Sequence, residues 1–518
     1  MLPLRLSVDI RRHAIAAFAS VACIATPAFP QFYEKVDLAK ASESTLVEAL
    51  TVPGNNFGGR VATFAGAGDP SMSVLFRAMT KSGDPRVRVY GVLGAALNSD
   101  KGIDPELMTG LQSEDERAAV IREANVSGIL RKSPASAILA QGKFTDAGIL
   151  ALVGEIDRRG ESWDPALVLP ITTSKDAIAA GFASLLLRDG NGKDPANAAP
   201  WDAFRARLTA MSQAERDMVL RALIEAVTMF ELRSATTPLM ELASAPECRE
   251  EVRVSSVGMC LRLDTPKGVA AWQERVTANR SQLALMRAGM QLLASYDRGV
   301  PPTAFDAIRN GTPILDGIAD AGSALASGKD AAPALIGLLE LGNPTCAEWA
   351  LVRASELPVD RAAPVWKHIL AKLDEADASK RPPASLVTGV ARELMKSEPA
   401  TVKAMLDGFK DQPDLQLAAM VGIADSRVPA AVDIARAHRG HLPRAAEGIA
   451  ALILARNGAT LNEDDLRVLG RAAAGGGDMD PERGLQAAWY CIRAGKKDEE
   501  VANRIASSTA RSADAGTR

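Results

Sequence analysis

Two histidines, His438 and His441, stand three positions apart in "AHRGHLP". On a helix that spacing puts two imidazoles on one face, where they could share a zinc ion. Gly440 and Pro443 argue instead for a loop between helices, and no acidic residue within "AHRGHLPRA" completes a ligand set. A His-Glu-x-x-His protease signature is absent. The pair is therefore read as a solvated turn, and His368 as a surface residue.

Phosphate and calcium chemistry find near misses of the same kind. In "GSALASGKD" (322–330), five residues separate Gly322 from Gly328 where a phosphate-binding loop needs four. Asp330 takes the place of the magnesium-binding hydroxyl, and its carboxylate repels phosphate. "GNNFGGR" (54–60) is glycine-rich but lacks a strand before it and a helix after it. "DMDPERG" spaces Asp478, Asp480 and Glu482 like calcium ligands. An EF-hand needs Gly and Glu where this chain has Arg483 and Trp489, so Asp480 reads better as a helix cap.

The chain has no Gly-x-Ser-x-Gly elbow. Carboxylate pairs such as Glu155 with Asp157 occur in any chain of this size, and sequence alone selects no acid and base among them. The six tryptophans, at 163, 201, 272, 349, 366 and 489, are scattered rather than grouped as a sugar platform. No catalytic, metal or cofactor residue is therefore assigned. The chain is expected not to be an enzyme and to use no cofactor. A helical enzyme acting on envelope or extracellular glycans is the alternative.

The elements that must carry these residues are helical. The chain has 518 residues, 47% of them apolar and 24% charged, with only 4% aromatic, and Ala and Leu are abundant. That balance favours helices over strands. A formal net charge of −3 lacks the basic surplus of a dedicated nucleic-acid binder.

Residues 1–28 have the form of a secretory signal peptide: Arg5, Arg11 and Arg12, a short apolar run from Ala14 to Ala25, then Thr26-Pro27-Ala28. The run is too short for a membrane span, which needs about 20 residues. Ile10 departs from the twin-arginine pattern, and Ser20 departs from the lipoprotein box that would anchor Cys23. Cleavage after Ala28 removes a net charge of +2 and leaves −5. The mature chain is expected to be periplasmic or extracellular, without a transmembrane span. Cys248 and Cys260 fall in one expected helix about 18 Å apart, beyond the ~7 Å limit for a disulfide. Cys346 and Cys491 complete a set expected to be buried free thiols.

Asp or Asn before Pro marks helix starts at Asp69, Asp84, Asp164, Asp194, Asn343 and Asp480. In "DPRVRVYGVLGAALN" (84–98), Val87, Tyr90, Leu93 and Leu97 form one apolar stripe, and Val89, Val92 and Ala96 a second. A helix with two stripes packs on both sides. The segments 251–263, 283–293 and 445–455 behave alike. By contrast, "APVWKHILAKLDEA" (363–376) is one-sided, with Trp366, Ile369, Leu370 and Leu373 on one face. Inner and outer helices in alternation build stacked pairs.

Asp84, Val87, Arg88, Gly91 and Leu97 resemble the second helix of a HEAT-like repeat, with partial copies at Val252-Arg253 with Ser256, Leu415-Gln416 with Ala419, and Asn343-Pro344 with Ala350. The resemblance implies an all-α fold: an α-solenoid, or superhelix, of stacked antiparallel helix pairs over residues 29–506. It also implies a polar ladder role for Asp84 and Arg88. Breaks between pairs are expected near 188–200 and 374–385, and a disordered tail over 507–518. Such a fold implies a scaffold that binds a protein or peptide partner.

Overall fold

The computed structural model describes residues 38–51, 69–190, 199–232, 235–245, 248–373, 384–473 and 481–515. The signal-peptide segment, Cys23, "GNNFGGR", Asp194, Asp478 and Asp480 lie outside these residues. The protein is all-α, with helical-repeat packing and no strand among the described residues.

In chain order the helices used below are α1 (Leu38–Thr51), α2 (Ser73–Met79), α3 (Pro85–Leu97), α4 (Asp146–Arg158), α5 (Ala177–Gly190), α6 (Ala199–Thr209), α7 (Gln213–Phe230) and α8 (Thr236–Ser244). They continue with α9 (Glu250–Leu263), α10 (Thr265–Ala278), α11 (Gln282–Leu293), α12 (Pro313–Ala326), α13 (Ala332–Glu340), α14 (Pro344–Glu356), α15 (Val359–Leu373) and α16 (Ala384–Leu394). The last seven are α17 (Pro399–Gly408), α18 (Pro413–Ser426), α19 (Ala430–His438), α20 (Arg444–Arg456), α21 (Glu463–Ala473), α22 (Pro481–Arg493) and α23 (Asp498–Ala515).

Capping fixes where these helices begin. Asp84 precedes α3, and its carboxylate accepts from the N–H groups of Arg86 at 2.8 Å and Val87 at 3.3 Å. Pro85 then needs no donor at the first helical position. Asp69 and Asp164 cap short 3₁₀ turns in the same way, and Asn343 Oδ1 accepts from the Cys346 N–H at 3.1 Å. Ser212 and Glu215 form a reciprocal capping box at the start of α7. Arginine closes several loops: Arg88 donates to the carbonyls of Ser82 and Gly83, and Arg216 to those of Leu208, Thr209 and Met211.

The chain divides into two compact units. The central unit comprises residues 113–122 and 134–354. Within it every second helix packs on the last, α5 on α7, α7 on α9 and α9 on α11, with α6, α8 and α10 between. The terminal unit comprises residues up to 112, 123–133 and from 355 onward. Its sequence α16, α18, α20, α22 packs in the same alternate fashion, and α17 contacts α19. Neither 188–200 nor 374–385 marks the division.

Inner helices are buried as their two stripes require. All residues of α3 from Val87 to Ala96, and all of α20 from Gly448 to Ala455, are buried. Close approach depends on glycine. A Cβ on Gly91 would lie 2.6 Å from the Thr80 nitrogen, and one on Gly422 would lie 2.3 Å from the Thr388 oxygen.

Three expectations are corrected. Residues 507–515 form the end of α23 rather than a disordered tail. Val501, Ile505 and Thr509 make a buried stripe with a spacing of four, and the Thr509 hydroxyl donates to the Ile505 carbonyl at 2.8 Å. Cys248 precedes α9 by two residues instead of sharing a helix with Cys260. The segment 283–293 leaves Leu283 and Arg287 exposed, whereas 251–263 keeps Val252, Ser256, Val257, Met259 and Leu261 buried. A further feature has no counterpart in the sequence reading: α1 packs against α21, α22 and α23, and α2 against α23.

Candidate functional site

The residues with chemical potential in the sequence are placed in structural roles. His438 ends α19 and is buried, not solvated. Its Nδ1 lies 3.0 Å from the Ile434 carbonyl, and its Nε2 lies 2.7 Å from Asp407 Oδ1. Asp407 is 31 positions away, which is why no local motif showed it. His441 stays in the following turn. Among the described residues no group of three or more His, Cys, Asp or Glu side chains is placed to hold a metal ion. "GSALASGKD" runs through the last turn of α12 into a loop, so its backbone N–H groups do not open a helix. Asp330 instead lies before α13 and accepts from the Ala332 N–H at 3.0 Å.

Glu155 and Asp157 do not converge, because positions two apart on α4 point to opposite sides. Glu155 is fully buried and pairs with Arg158 at 2.8 Å. Burial raises the Asp157 carboxyl, and a hydrogen bond from the Trp163 indole at 3.2 Å opposes the rise. Five of the six tryptophans are buried. Three of these spend the indole N–H internally: Trp272 on the Ala288 carbonyl, Trp489 on Ser71 and Trp201 on Glu241. An exposed platform of these rings is therefore not formed. Cys248, Cys260, Cys346 and Cys491 are buried, with burial pushing Cys260 up to about 12 and Cys346 upward.

Asp84 and Arg88, the residues expected in a polar ladder, both make local contacts. Asp84 pairs with Arg86 at 3.1 Å, while Arg88 serves the loop carbonyls. In the terminal unit, polar contacts step along the outer layer: Lys367 of α15 pairs with Glu398 before α17, Asp407 of α17 hydrogen-bonds His438 of α19, and Arg439 after α19 pairs with Asp465 of α21. In the central unit they step along the inner layer. Asp217 and Arg221 of α7 meet Arg249 and Glu251 at the start of α9, at 2.7 and 2.8 Å. Glu231, held at φ 49° after α7, takes Arg298 at 3.1 Å and Arg262 at 3.7 Å.

A second polar group ties the first and last described parts of the terminal unit. Asp69 Oδ1 accepts from the Ser71 backbone and hydroxyl at 3.0 and 2.8 Å. Ser71 Oγ accepts from Trp489 Nε1 at 2.9 Å and lies 3.5 Å from the Tyr490 hydroxyl. Burial raises the Tyr490 phenol, and the charge of Asp69 raises it further. Burial lowers Arg456 from the ordinary arginine value, with Arg427 adding to the effect. Arg493 lies over both rings of Trp489 and Tyr490 and grips Asp498 with two bonds of 3.0 and 2.8 Å. Asp69 is only 3% exposed, so this group works as a clasp rather than as a place for a substrate.

The remaining surface of interest is the open side of α7, α9 and α11. Met218 is 61% exposed and Leu283 54%. Arg221 and Glu225 share the exposed stripe of α7, and Arg287 that of α11. Between them Val254, Ser255 and Gly258 of α9 are half-buried. The Arg221–Glu251 pair and a bond from Gln291 Nε2 to the Val254 carbonyl at 3.0 Å join the three stripes. The result is a surface of apolar side chains, charges and a half-buried glycine. No helix among the described residues is long and apolar enough to cross a membrane. No family model, curated protein or solved structure matches the chain.

Proposed function

We propose that this chain is an exported, non-enzymatic protein of HEAT-like, α-solenoid design that binds a protein or peptide partner along the α7–α9–α11 surface. The observation that carries the reading is the exposure of Met218 and Leu283 on α7 and α11. Large apolar side chains exposed on a helical face favour contact with another chain. Export rests on the composition of residues 1–28, and the mature chain is placed in the periplasm or outside the cell.

The test places a photo-crosslinking amino acid at Met218 and at Leu283 in the exported chain. A common partner captured at both positions, and lost in the Arg221→Glu variant, is the expected result. Crosslinks that match those from exposed Leu169, outside this surface, would remove the proposal. N-terminal sequencing of the mature chain is expected to begin at Phe29. The glycan-enzyme alternative predicts new reducing ends from envelope polysaccharide, and it is disfavoured by the burial of the tryptophans.

A further inference from the structure

Two Asn-Gly pairs lie among the described residues, at 310–311 and 457–458, and the fold holds them differently. Both asparagines are exposed. Both glycines have positive φ, 83° at Gly311 and 70° at Gly458, and a Cβ on either would meet nothing within 4 Å. Asn457 follows α20 and is held by its nitrogen. Its Nδ2 donates to the Ile453 carbonyl at 2.8 Å, and the Gly458 N–H donates to the Ala455 carbonyl at 3.1 Å. Asn310 precedes α12 and is held by its oxygen. Its Oδ1 accepts from the Thr312 N–H at 3.0 Å and from the Thr312 hydroxyl at 2.7 Å. The Gly311 N–H donates to a carboxylate, Oδ1 of Asp316 in the first turn of α12, at 3.3 Å.

We propose that Asn310–Gly311 is a self-modifying site, where the chain converts Asn310 to aspartate or isoaspartate through a succinimide. The backbone nitrogen after an asparagine can attack the carboxamide carbon. A base that takes its proton and donors that hold the charge growing on oxygen both speed the attack. Here Gly311 N attacks Cγ of Asn310 and passes its proton to Asp316. The carbonyl electron pair moves onto Oδ1, between the N–H and O–H of Thr312. As that pair returns, the Cγ–Nδ2 bond breaks, and Nδ2 takes the proton from Asp316 and leaves as ammonia. Water then opens the ring at either carbonyl. The sum is asparagine plus water giving aspartate or isoaspartate plus ammonia. The product carries a negative charge at the N-terminal end of α12, where the helix dipole favours it. The site lies outside the α7–α9–α11 surface, so this inference stands or falls separately from it.

The test incubates the folded full chain in heavy-oxygen water near neutral pH and follows the label into its peptides by mass spectrometry. Label is expected to enter at residue 310 at least about ten-fold faster than at residue 457. In denaturant both pairs lose these contacts, and the two rates are expected to meet. Asp316→Asn still accepts from the Gly311 N–H but takes up no proton, and it slows conversion at 310 at least about ten-fold. Thr312→Val keeps the backbone donor, removes the hydroxyl and also slows conversion. Equal rates at 310 and 457 in the folded chain overturn the proposal, as does an absence of label at 310. A difference that persists in denaturant, or an unchanged rate in Asp316→Asn, overturns it too. Should Asp316→Asn lose its helical circular dichroism, the comparison of 310 with 457 in the unaltered chain decides.

Discussion

Two inner layers of the same design end in opposite states. In the terminal unit, α20 is buried from Gly448 to Ala455, and α22 from Leu485 to Ile492. In the central unit, α7, α9 and α11 pack by the same alternation, yet α7 keeps Met218, Arg221 and Glu225 in solvent and α11 keeps Leu283 and Arg287 there. The difference lies in side-chain size and charge along the third face. On α20 that face is Ala446, Ala450 and Ile453, so another helix can cover it without stranding a charge. On α7 it is Met218, Arg221 and Glu225, and covering it would desolvate two charges. The same alternate packing thus supplies both a closed core and an open surface.

The largest expected contrast comes from truncating one bulky side chain in each layer. Trp489 is fully buried and donates to Ser71. Trp489→Ala is expected to cost about 3–5 kcal/mol of the terminal unit's stability. Met218→Ala is expected to stay within about 0.5 kcal/mol. Denaturant unfolding of both variants checks the pair, and comparable losses would mean the α7 stripe is covered in solution.

Glycine gives the next contrast. A Cβ at Gly422 meets backbone, the Thr388 oxygen at 2.3 Å, which cannot move aside without parting α16 from α18. Gly422→Ala should cost about 1–3 kcal/mol by overpacking. At Gly258 the nearest atom is the end of the Gln291 side chain at 3.1 Å. There the helix-propensity gain of roughly 1 kcal/mol offsets the displacement, so Gly258→Ala is expected to be near neutral. A large loss at Gly258 would show that Gln291 is locked and the open layer is rigid.

How much of this was legible follows from range. The caps at Asp84, Asp69, Asp164 and Asn343 are decided within four residues, and the sequence shows them. The double stripe of α3 is likewise local. The ladder is not. HEAT-like spacing pointed to Asp84 and Arg88, but Arg88 is drawn to the nearer carbonyls of Ser82 and Gly83. The pairs that do link helices, such as Asp407 with His438 and Asp217 with Arg249, join residues about thirty positions apart, where no motif records them. The tail over 507–515 looked disordered because Ser, Thr, Ala and Arg have no apolar bulk. It folds because Val501, Ile505 and Thr509 continue a stripe begun upstream. The open surface was hidden for the opposite reason: the segment 283–293 reads as packed on both sides, yet Leu283 at its start is exposed.

A third test separates the buried and exposed rungs of the central ladder. Asp217 is 4% exposed and holds both Arg249 at 2.7 Å and Gln213 at 3.0 Å. Asp217→Ala removes a buried acceptor from both and should cost about 1–2 kcal/mol. Arg221 and Glu251 lie in solvent, and Arg221→Ala should cost less than about 1 kcal/mol. Raising the salt concentration is expected to erase the second loss and leave the first. Equal salt sensitivity would place both rungs at the surface.

The smallest effect is in acid, where two aspartates pull in opposite directions. Burial acts to raise Asp84, but the hydrogen bonds from Arg86 and from the Arg86 and Val87 N–H groups outweigh it and hold the carboxyl below its usual 3.8. A lowered acid contributes stability above its unfolded value, and that contribution is lost as pH falls through the folded value. Asp157 is raised by burial, so its ionised form costs stability at neutral pH, and the cost is relieved as pH falls through the raised value. Asp84→Asn, which keeps a capping oxygen, is expected to flatten the loss of stability below pH 3.8. Asp157→Asn is expected to stabilise the chain at pH 7 and to lose that advantage on acidification. Denaturant midpoints measured from pH 7 down to 3 for both variants and the parent check the two signs. A matching sign for both would mean that the Trp163 indole, not burial, governs Asp157.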